Sequence, residues 1–374
     1  MRVLMAGGGT AGHINPALAI AAEIRRREPD SVILFVGVKD RMETRLVPAA
    51  GYPIRTMDVR GLRRSFSPAA IGENIGAAWR AAAALPLSRK ILREFRPDVA
   101  VGTGGYVCGP VLRQAERMGI PVVLHESNAL PGVTTKMLAK QAAVTLVADK
   151  AAIPRLPEGC RTEVTGNPLR EGFFTLDKAA SRRELGLDER PVVLSYGGSL
   201  GAARINEAMT GVLERSCKEG RLQHIHAAGK AGYAAMCEAL TARGVPLSGG
   251  GICVREYIDD MPRCMAAADL VICRCGAMTM SELPAAGKPA ILIPSPYVAE
   301  DHQRYNAMAL VDKGAARCLE EKDLTADSLW TLIGELTASP DTLRSMGEKA
   351  RSAAVPDAAE RIYRAIRRVV SDAK

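Results

Sequence analysis

The stretch Ile272–Asn306, ICRCGAMTMSELPAAGKPAILIPSPYVAEDHQRYN, decides the predicted fold class. It opens on an apolar strand predicted over Asp269–Cys273 and turns through Arg274–Gly276. A helix over Thr279–Ala286 and a buried strand over Pro289–Ile293 follow. A strand, a glycine turn, a helix and a second strand form a βαβ unit, in which ligands bind beyond the carboxyl ends of the strands. The stretch therefore predicts a parallel α/β sheet with a ligand site at the turn.

Polar groups along this stretch suit a phosphorylated sugar. The helix start offers unpaired N–H groups and a positive dipole end, which favour phosphate. Glu282 lies one turn into the helix, where its carboxylate could hold the vicinal hydroxyls of a sugar. Thr279-x-x-Glu282 is also the pattern of a capping box, so a structural role for this carboxylate stays open. The amides of Gln303 and Asn306 could bind further hydroxyls, and the stretch predicts a nucleotide-sugar pocket.

Length and composition describe a soluble protein of two domains. A chain of 374 residues is too long for one ordinary core, and 47% hydrophobic with 24% charged residues is typical of globular proteins. An aromatic content of 4% argues against stacking platforms for nucleic acid. No apolar run approaches the roughly 20 residues of a membrane span. Nine cysteines without CxxC pairs indicate a reduced cytoplasm and no zinc site.

The positive charge is concentrated in the first half of the chain. Residues 1–165 contain 23 Lys and Arg against 14 Asp and Glu, whereas residues 166–374 contain 27 of each. The first half should therefore meet the anionic partner. Nucleic acid, an anionic membrane surface and a pyrophosphate substrate are all compatible with charge alone.

A glycine loop follows the first predicted strand, Arg2–Ala6. The glycines of Gly7–Gly12 match GxGxxG, the dinucleotide fingerprint. The next strand, predicted over Val32–Val36, has no acidic residue at its tip to hold a ribose, which disfavours NAD. His13, directly after the loop, is either a polar residue packing the helix start or a base aimed into a cleft.

Two more polar loops are predicted at the same edge of the sheet. The strand Asp98–Val101 leads into Gly102–Tyr106, and the strand Pro121–Leu124 leads into His125–Asn128. One such loop is a structural turn, but three loops leaving parallel strands at one edge indicate a substrate site.

The chain then repeats its opening pattern. Gly-Asn-Pro within Thr162–Arg170 has the composition of a domain junction. Beyond it, VVLSYGGSLGA at 192–202 echoes VLMAGGGTAG at 3–12. The repeat predicts two Rossmann-like doubly wound halves that face each other across a cleft. We expect domains at 1–165 and 166–353, with a helix over Asp357–Val370, in the segment 354–374, packing back on the first domain.

The segment Ile71–Phe95 mixes alanine, apolar and basic residues in a helical pattern. Such a segment could lie on anionic lipid. It could equally be a crossover helix whose apolar face packs on the sheet. We favour the crossover helix for most of its apolar positions and membrane contact for the exposed remainder.

Eight motifs occur in order along the chain: GGGTAGH, GTGGYVCGP, HESNALPG, TGNPLR, GGSLGAARIN, EYIDDM, CRCGAMTMSE and DHQRYNA. Together they resemble the MurG family, GT-B glycosyltransferases of bacterial peptidoglycan synthesis, over nearly the whole chain. The resemblance implies transfer of N-acetylglucosamine (GlcNAc) from UDP-GlcNAc to the C4 hydroxyl of the muramyl sugar in undecaprenyl-pyrophosphoryl lipid I, giving lipid II. It also implies peripheral attachment at the cytoplasmic face of the cell membrane, where the basic first half would meet anionic lipid, and no nucleic acid partner.

The same resemblance implies a set of donor contacts by motif. In the first half and at the junction these are Thr10, Ala11, Gly12, Asn128 and Arg170. In the second half they are Ser199, Ile258, Ala277, Met278, Thr279, Met280, Ser281, Glu282 and Gln303. Ala11 departs from the family pattern, which commonly has glycine at this position. Pro284 also departs from the expected residues and is expected in the first turn of its helix, where proline is tolerated best.

The chemistry of such a transfer needs a base and a group that offsets charge on the departing diphosphate. His13 is the leading base candidate because an imidazole titrates near neutrality, with His125 and Glu126 as rivals. No D-x-D sequence occurs, so neither a metal clamp nor a cofactor is expected. Helix N-termini, Ser199 and Arg170 would stabilise the diphosphate. A UDP-sugar epimerase, another glycolipid glycosyltransferase, a nicotinamide enzyme and a non-catalytic binding protein remain alternatives.

Overall fold

The computed structural model describes residues 1–59, 83–198, 200–298 and 301–373. The chain divides into two compact units. The first unit comprises Met1–Arg170 and Asp357–Lys374, and the second comprises Glu171–Pro356. The units therefore end at Arg170 and Pro356, a few residues beyond the boundaries expected from the sequence.

The first unit is built on a seven-stranded parallel sheet. Its strands are β1 (Arg2–Ala6), β2 (Val32–Val38), β3 (Ile54–Met57), β4 (Val99–Gly102), β5 (Val122–Glu126), β6 (Val144–Val147) and β7 (Thr162–Val164). Their spatial order is β3-β2-β1-β4-β5-β6-β7, so β1 is an interior strand and the chain reverses direction across the sheet between β1 and β4. This is the doubly wound arrangement, in which ligands bind at the carboxyl edge near the reversal.

The second unit repeats this arrangement. Its strands are β8 (Val192–Tyr196), β9 (Gln223–Ala227), β10 (Ser248–Gly249), β11 (Ile252–Arg255), β12 (Leu270–Cys273), β13 (Ala290–Leu292) and β14 (Ala316–Cys318). The order is β10-β11-β9-β8-β12-β13-β14, with the short edge strand β10 antiparallel and the others parallel. The predicted pair of Rossmann-like α/β halves is confirmed, and β8 lies where the strand order reverses, as β1 does in the first unit.

Helices cover both faces of each sheet, because parallel strands buried on both sides need apolar cover. In the first unit they are Ala11–Arg27, Glu43–Ala49, residues 83–95, Cys108–Arg117, Val133–Leu138, the 3₁₀ turn Lys150–Arg155, and Ala358–Asp372. In the second they are Gly172–Thr175, Lys178–Glu184, Ala203–Glu219, Tyr233–Ala242, Met261–Ala267, Thr279–Ala286, His302–Val311, the 3₁₀ turn Glu321–Asp323, Ala326–Thr337 and Pro340–Arg351. Among the described helices, none is long and apolar enough to cross a membrane.

The last helix returns to the first unit. Ile362, Ile366 and Val370 are buried in the same apolar cluster as Ile20 and Ile24 of the helix Ala11–Arg27. Glu28, beside this cluster, connects the N-terminus to the last helix. Its carboxylate pairs with the Met1 amino group and with Arg367 Nε, and it accepts a hydrogen bond from Tyr363 Oη. Burial of one apolar stripe therefore explains why the chain crosses back after Pro356.

Several expectations concern residues outside the described ranges. They are the role of Ser199 and the part of Ile71–Phe95 that precedes residue 83. The described helical residues 83–95 bury Ala84, Ile91 and Leu92 in the core of the first unit. That burial agrees with a crossover helix at these three positions.

Candidate active site

His13 lies in the first turn of the helix Ala11–Arg27, directly after the glycine loop that leaves β1. Its Nδ1 lies 3.2 Å from the Gly8 carbonyl oxygen and 3.3 Å from the Thr10 hydroxyl. Because a carbonyl oxygen only accepts hydrogen bonds, the contact with Gly8 needs the proton on Nδ1. Nε2 of the neutral ring is then free of a proton and can accept one.

The loop after β4 packs against the other side of the imidazole ring. A Cβ atom at Gly104 would lie 2.6 Å from His13 Cδ2 and 3.0 Å from Nε2. A Cβ atom at Gly105 would lie 2.3 Å from the Gly8 carbonyl oxygen. Thr103 Oγ1 donates a hydrogen bond of 2.7 Å to the backbone oxygen of His13. Only glycine fits these approaches, and the two loops together fix the orientation of the ring.

The surroundings of His13 keep it able to act as a base. Burial lowers the pKa of His13 below its usual value near 6.5, against the Gly8 hydrogen bond and the charges of Glu126 and Glu43, which raise it. A lowered pKa leaves the imidazole neutral at pH 7, which is the form that can take a proton.

The two rival bases have structural roles in the first unit. Glu126 Oε1 accepts from the backbone N–H and the side-chain amide of Asn128, at 3.0 and 2.9 Å. Its Oε2 accepts from Gly132 N and Thr135 Oγ1, at 3.0 and 2.7 Å. Four hydrogen bonds occupy this carboxylate, which organises the loop that carries Asn128. His125 is buried, and its Nε2 contacts the Gly166 carbonyl oxygen at 3.1 Å.

The remaining first-unit candidates border the same carboxyl edge. Thr10, Ala11 and Gly12 are half-buried at the start of the helix Ala11–Arg27. A Cβ atom at Gly12 would meet no described atom closer than the Thr10 hydroxyl at 3.8 Å. The described residues thus leave open space at Gly12. Arg170 is half-buried and lies beyond β7, at the end of the first unit's main segment.

In the second unit, the helix Thr279–Ala286 begins where β12 and its glycine turn end. Its N-cap is Met278, whose backbone is helical and whose side chain forms no capping hydrogen bond. The capping-box interpretation of Thr279 and Glu282 is therefore wrong, because Thr279 is already inside the helix and the Glu282 N–H bonds to the Met278 carbonyl oxygen at 2.8 Å. Pro284 lies in the second turn, not in the first as expected.

The candidate donor residues 277–282 surround this helix start. Glu282 and Met278 are buried, and Ala277, Thr279, Met280 and Ser281 are half-buried. Ser281 Oγ bonds back to the Ala277 carbonyl oxygen at 3.3 Å. A Cβ atom at Gly276 would meet no described atom within 4 Å, so the turn leaves open space there.

Tyr196, at the carboxyl end of β8, reaches the same place and was missed by the sequence analysis. Its side chain is buried, its hydroxyl lies near Thr279, and it forms no hydrogen bond of normal geometry with the described residues. Burial holds the pKa of Tyr196 well above its usual value, and the neighbouring Cys273 and Glu282 raise it further. The only available signal was its position, one residue before the second glycine loop.

Gln303 and Asn306 fix the loops beside this helix. Gln303 Oε1 accepts from the backbone N–H groups of Ser295 at 3.0 Å and Cys275 at 3.3 Å. Asn306 Nδ2 donates to the Cys275 carbonyl oxygen at 2.9 Å. Both amides therefore tie the turn after β12 to its surroundings, which the sequence alone did not predict. Among the described residues, the Gln303 amide nitrogen has no hydrogen-bond partner, so it can still bind a hydroxyl.

A buried ion pair supports the same turn and was also missed. Arg274 pairs with Glu321, and its Nη1 donates to the backbone oxygens of Ile293 at 3.2 Å and Pro294 at 3.0 Å. Ile258, the remaining candidate, is buried in the loop between β11 and the helix Met261–Ala267. Among the described residues, no group of three or more His, Cys, Asp or Glu side chains could hold a metal ion.

Comparison with known protein families assigns both halves of the chain to one family. The N-terminal domain of glycosyltransferase family 28 matches residues 3–147. The C-terminal domain of the same family matches residues 192–362. Each match begins at the first strand of one unit, β1 or β8.

Individual relatives agree with this assignment. A UDP-N-acetylglucosamine–N-acetylmuramyl-(pentapeptide) pyrophosphoryl-undecaprenol N-acetylglucosamine transferase of Acetivibrio thermocellus is 41% identical, over 100% of this chain and 99% of the relative. The crystal structure of MurG from Acinetobacter baumannii is 29% identical with a TM-score of 0.68, covering 98% of this chain and 99% of that one. A UDP-GlcNAc 2-epimerase from Neisseria meningitidis shares the fold at 14% identity and a TM-score of 0.66, over 98% and 100% of the two chains. Identity of 41% over the full length shows that the chain belongs to the MurG family of glycosyltransferases.

Proposed function

We propose that this chain transfers GlcNAc from UDP-GlcNAc to the C4 hydroxyl of lipid I, forming lipid II with inversion at the anomeric carbon. The full-length relatives carry the name of this transferase. The structural observation that carries the proposal is Glu282, a carboxylate buried at a helix start on the carboxyl edge of the second sheet. Transfer of labelled GlcNAc from UDP-GlcNAc to a lipid I analogue is the reaction that tests the proposal.

The donor binds the second unit in this proposal. Glu282 accepts hydrogen bonds from the ribose hydroxyls, and Ile258 is a further donor contact. The N-termini of the helices Ala203–Glu219 and Thr279–Ala286 stabilise the diphosphate, together with Arg170 and Ser199. The Gln303 amide nitrogen binds a hydroxyl of the sugar. Thr10, Gly12 and Asn128 contribute from the first unit.

Catalysis needs removal of one proton from the acceptor hydroxyl. His13 Nε2 takes that proton as the hydroxyl oxygen attacks the anomeric carbon from the face opposite UDP. The bond to the UDP oxygen breaks in the same step. Backbone N–H groups at the helix N-termini, together with Arg170, stabilise the charge on the departing diphosphate instead of a metal ion. The protonated imidazole then loses its proton to solvent.

The first unit is proposed to bind the acceptor and the membrane. Counted by unit, the first has 29 Lys and Arg against 17 Asp and Glu, and the second has 21 against 24. The positive surplus therefore lies entirely on the unit that contains His13. This distribution suits a pyrophosphate acceptor held in anionic lipid at the cytoplasmic face.

A nicotinamide enzyme is disfavoured by the first glycine loop. A dinucleotide pyrophosphate would need the N–H groups of this loop. The Gly9 N–H is already bonded to the Glu43 carboxylate, at 3.0 and 3.2 Å to its two oxygens. A pyrophosphate at this position would be repelled by the Glu43 carboxylate.

Reversal of three exposed charges tests the membrane part of the proposal. Arg89, Lys90 and Arg93 line a cavity of about 500 Å³ on the helical residues 83–95. The triple change of these residues to Glu should weaken binding to anionic vesicles roughly 100-fold or more, because each basic residue near such a surface contributes about 1 kcal/mol. Co-sedimentation with vesicles measures this effect, and UDP-GlcNAc affinity should not change.

A matched control reverses three exposed charges of the second unit, Arg221, Lys313 and Arg317. This control protein should bind vesicles nearly as well as the wild type. Equal vesicle binding by both triple variants would contradict the membrane role and leave the charge surplus to the acceptor's pyrophosphate alone.

A further inference from the structure

Glu43 is a buried carboxylate directly beneath the loop that carries His13. It is the first residue of the helix Glu43–Ala49, and its side chain is 0% exposed. The side chain passes between two glycines. A Cβ atom at Gly8 would lie 2.1 Å from Glu43 Oε1, and one at Gly37 would lie 2.6 Å from Glu43 Cγ. Both glycines are therefore required by this side chain.

The Glu43 carboxylate is held by backbone N–H groups. Oε1 accepts from Val38 N at 2.8 Å and from Gly9 N at 3.0 Å, and Oε2 lies 3.2 Å from Gly9 N. No Lys, Arg or His among the described residues forms an ion pair with it. A buried carboxylate without a cation costs several kcal/mol in general, so its retention here calls for a role beyond packing.

Glu43 and His13 contact opposite ends of the same peptide group. The N–H that Glu43 accepts belongs to Gly9, and the carbonyl oxygen 3.2 Å from His13 Nδ1 belongs to Gly8. These atoms are joined by the Gly8–Gly9 peptide bond, which is planar and polarisable. We propose that Glu43 acts on His13 through this peptide, as a carboxylate–peptide–imidazole relay. The inference rests on the proposed function, in which His13 is the base.

The physical effect follows from the alignment of charges. A negative charge at the N–H end of the peptide draws its hydrogen and makes the Gly8 carbonyl oxygen a stronger acceptor. That oxygen then holds the proton on Nδ1, keeps Nε2 as the acceptor, and stabilises the imidazolium formed when Nε2 takes a proton. Glu43 does not touch substrate, so it is a positioning residue.

Other groups near His13 differ from Glu43 in their connection to the ring. Glu126 raises the pKa of His13 through space, with its four hydrogen bonds directed at its own loop. The Cys108 thiol donates to the Gly104 and Ala6 carbonyl oxygens and remains protonated, since burial raises its pKa to about 12. Among these described groups, only Glu43 is joined to the imidazole by consecutive hydrogen bonds through one peptide.

Nitrogen-15 NMR of histidine-labelled full-length protein tests the relay directly. The His13 signals are assigned by their loss in His13→Asn. In the wild type, neutral His13 should be the Nδ1–H tautomer. Glu43→Gln removes the charge with little change of shape and should lower the pKa of His13 by about 0.5–1 unit, within the usual range of environmental shifts. The Nε2–H tautomer in the wild type, or an unchanged pKa in folded Glu43→Gln, would overturn the relay.

Kinetics separate the relay from the base role. The rising limb of kcat/KM against pH should shift to lower pH in Glu43→Gln by the same amount as the NMR pKa, with a plateau up to about tenfold lower. If the NMR pKa of His13 shifts but the rising limb of kcat/KM does not, the relay is supported and His13 is not the base.

Glu28→Gln is the matched control, because Glu28 also binds several groups of the first unit. It should lower stability and leave the His13 pKa unchanged. If Glu43→Gln does not fold, the wild-type tautomer decides.

Discussion

His13→Ala is expected to lower kcat by about 10²- to 10⁴-fold, the usual contribution of a general base, while UDP-GlcNAc affinity stays nearly intact. The reason is geometric, because the ring is fixed between Gly8 and Gly104 with Nε2 left as the proton acceptor. Single-turnover rates and donor titrations measure the two quantities separately.

His13→Asn is the matched control for a structural role. Its side-chain amide can still donate to the Gly8 carbonyl oxygen, but it has no group that titrates near neutrality. Both variants should be equally slow if His13 is the base. A loss below about tenfold in either variant would leave His13 as a residue that packs the helix start.

The pH dependence has a definite sign. Burial lowers the pKa of His13, so the imidazole becomes neutral, and therefore active, as pH rises through a value below 6.5. In the wild type kcat/KM should rise with pH and level off before neutrality, and this limb should be absent from both His13 variants.

Glu282→Gln is expected to raise the donor KM roughly 10- to 150-fold without lowering the melting temperature. Hydrogen bonds to a charged group are worth about 1.5–3 kcal/mol, and the amide loses both the charge and one acceptor. The structure removes the capping-box explanation, since Thr279 lies inside the helix Thr279–Ala286 and the N-cap Met278 forms no side-chain capping hydrogen bond.

A donor lacking the ribose 2′-hydroxyl provides the control for this prediction. The 2′-deoxy donor should bind the wild type more weakly than UDP-GlcNAc, and most of that difference should disappear in Glu282→Gln. Normal UDP-GlcNAc binding by the variant would place the ribose elsewhere.

Local pattern was sufficient to predict the fold and the loops of the candidate site. Apolar strands followed by glycine turns at Gly7 and Gly197 predict two parallel sheets, because the loops of parallel strands collect at one edge. The helix over Thr279–Ala286 was predicted with the bounds that the structure has. These features depend on neighbours in sequence, which periodicity and turn chemistry report.

Contacts between distant segments were not predictable in the same way. Glu43 reaches the first loop only because β2 lies beside β1, and the one sequence signal was Gly37 inside a strand, which marks close approach. The capping-box alternative for Thr279 is wrong because Thr279 lies inside the helix and its N-cap, Met278, already has a helical backbone. Tyr196 acquires its place beside Thr279 from the pairing of β8 with β12.

The most direct test of the central claim is product analysis after incubation of the purified chain with labelled UDP-GlcNAc and a lipid I analogue in the presence of a metal chelator. We expect stoichiometric transfer of label to the acceptor through a β1→4 linkage, release of UDP, and undiminished activity under chelation. Conversion of the donor to its 2-epimer without transfer, or no reaction of the donor with acceptor present, would contradict it.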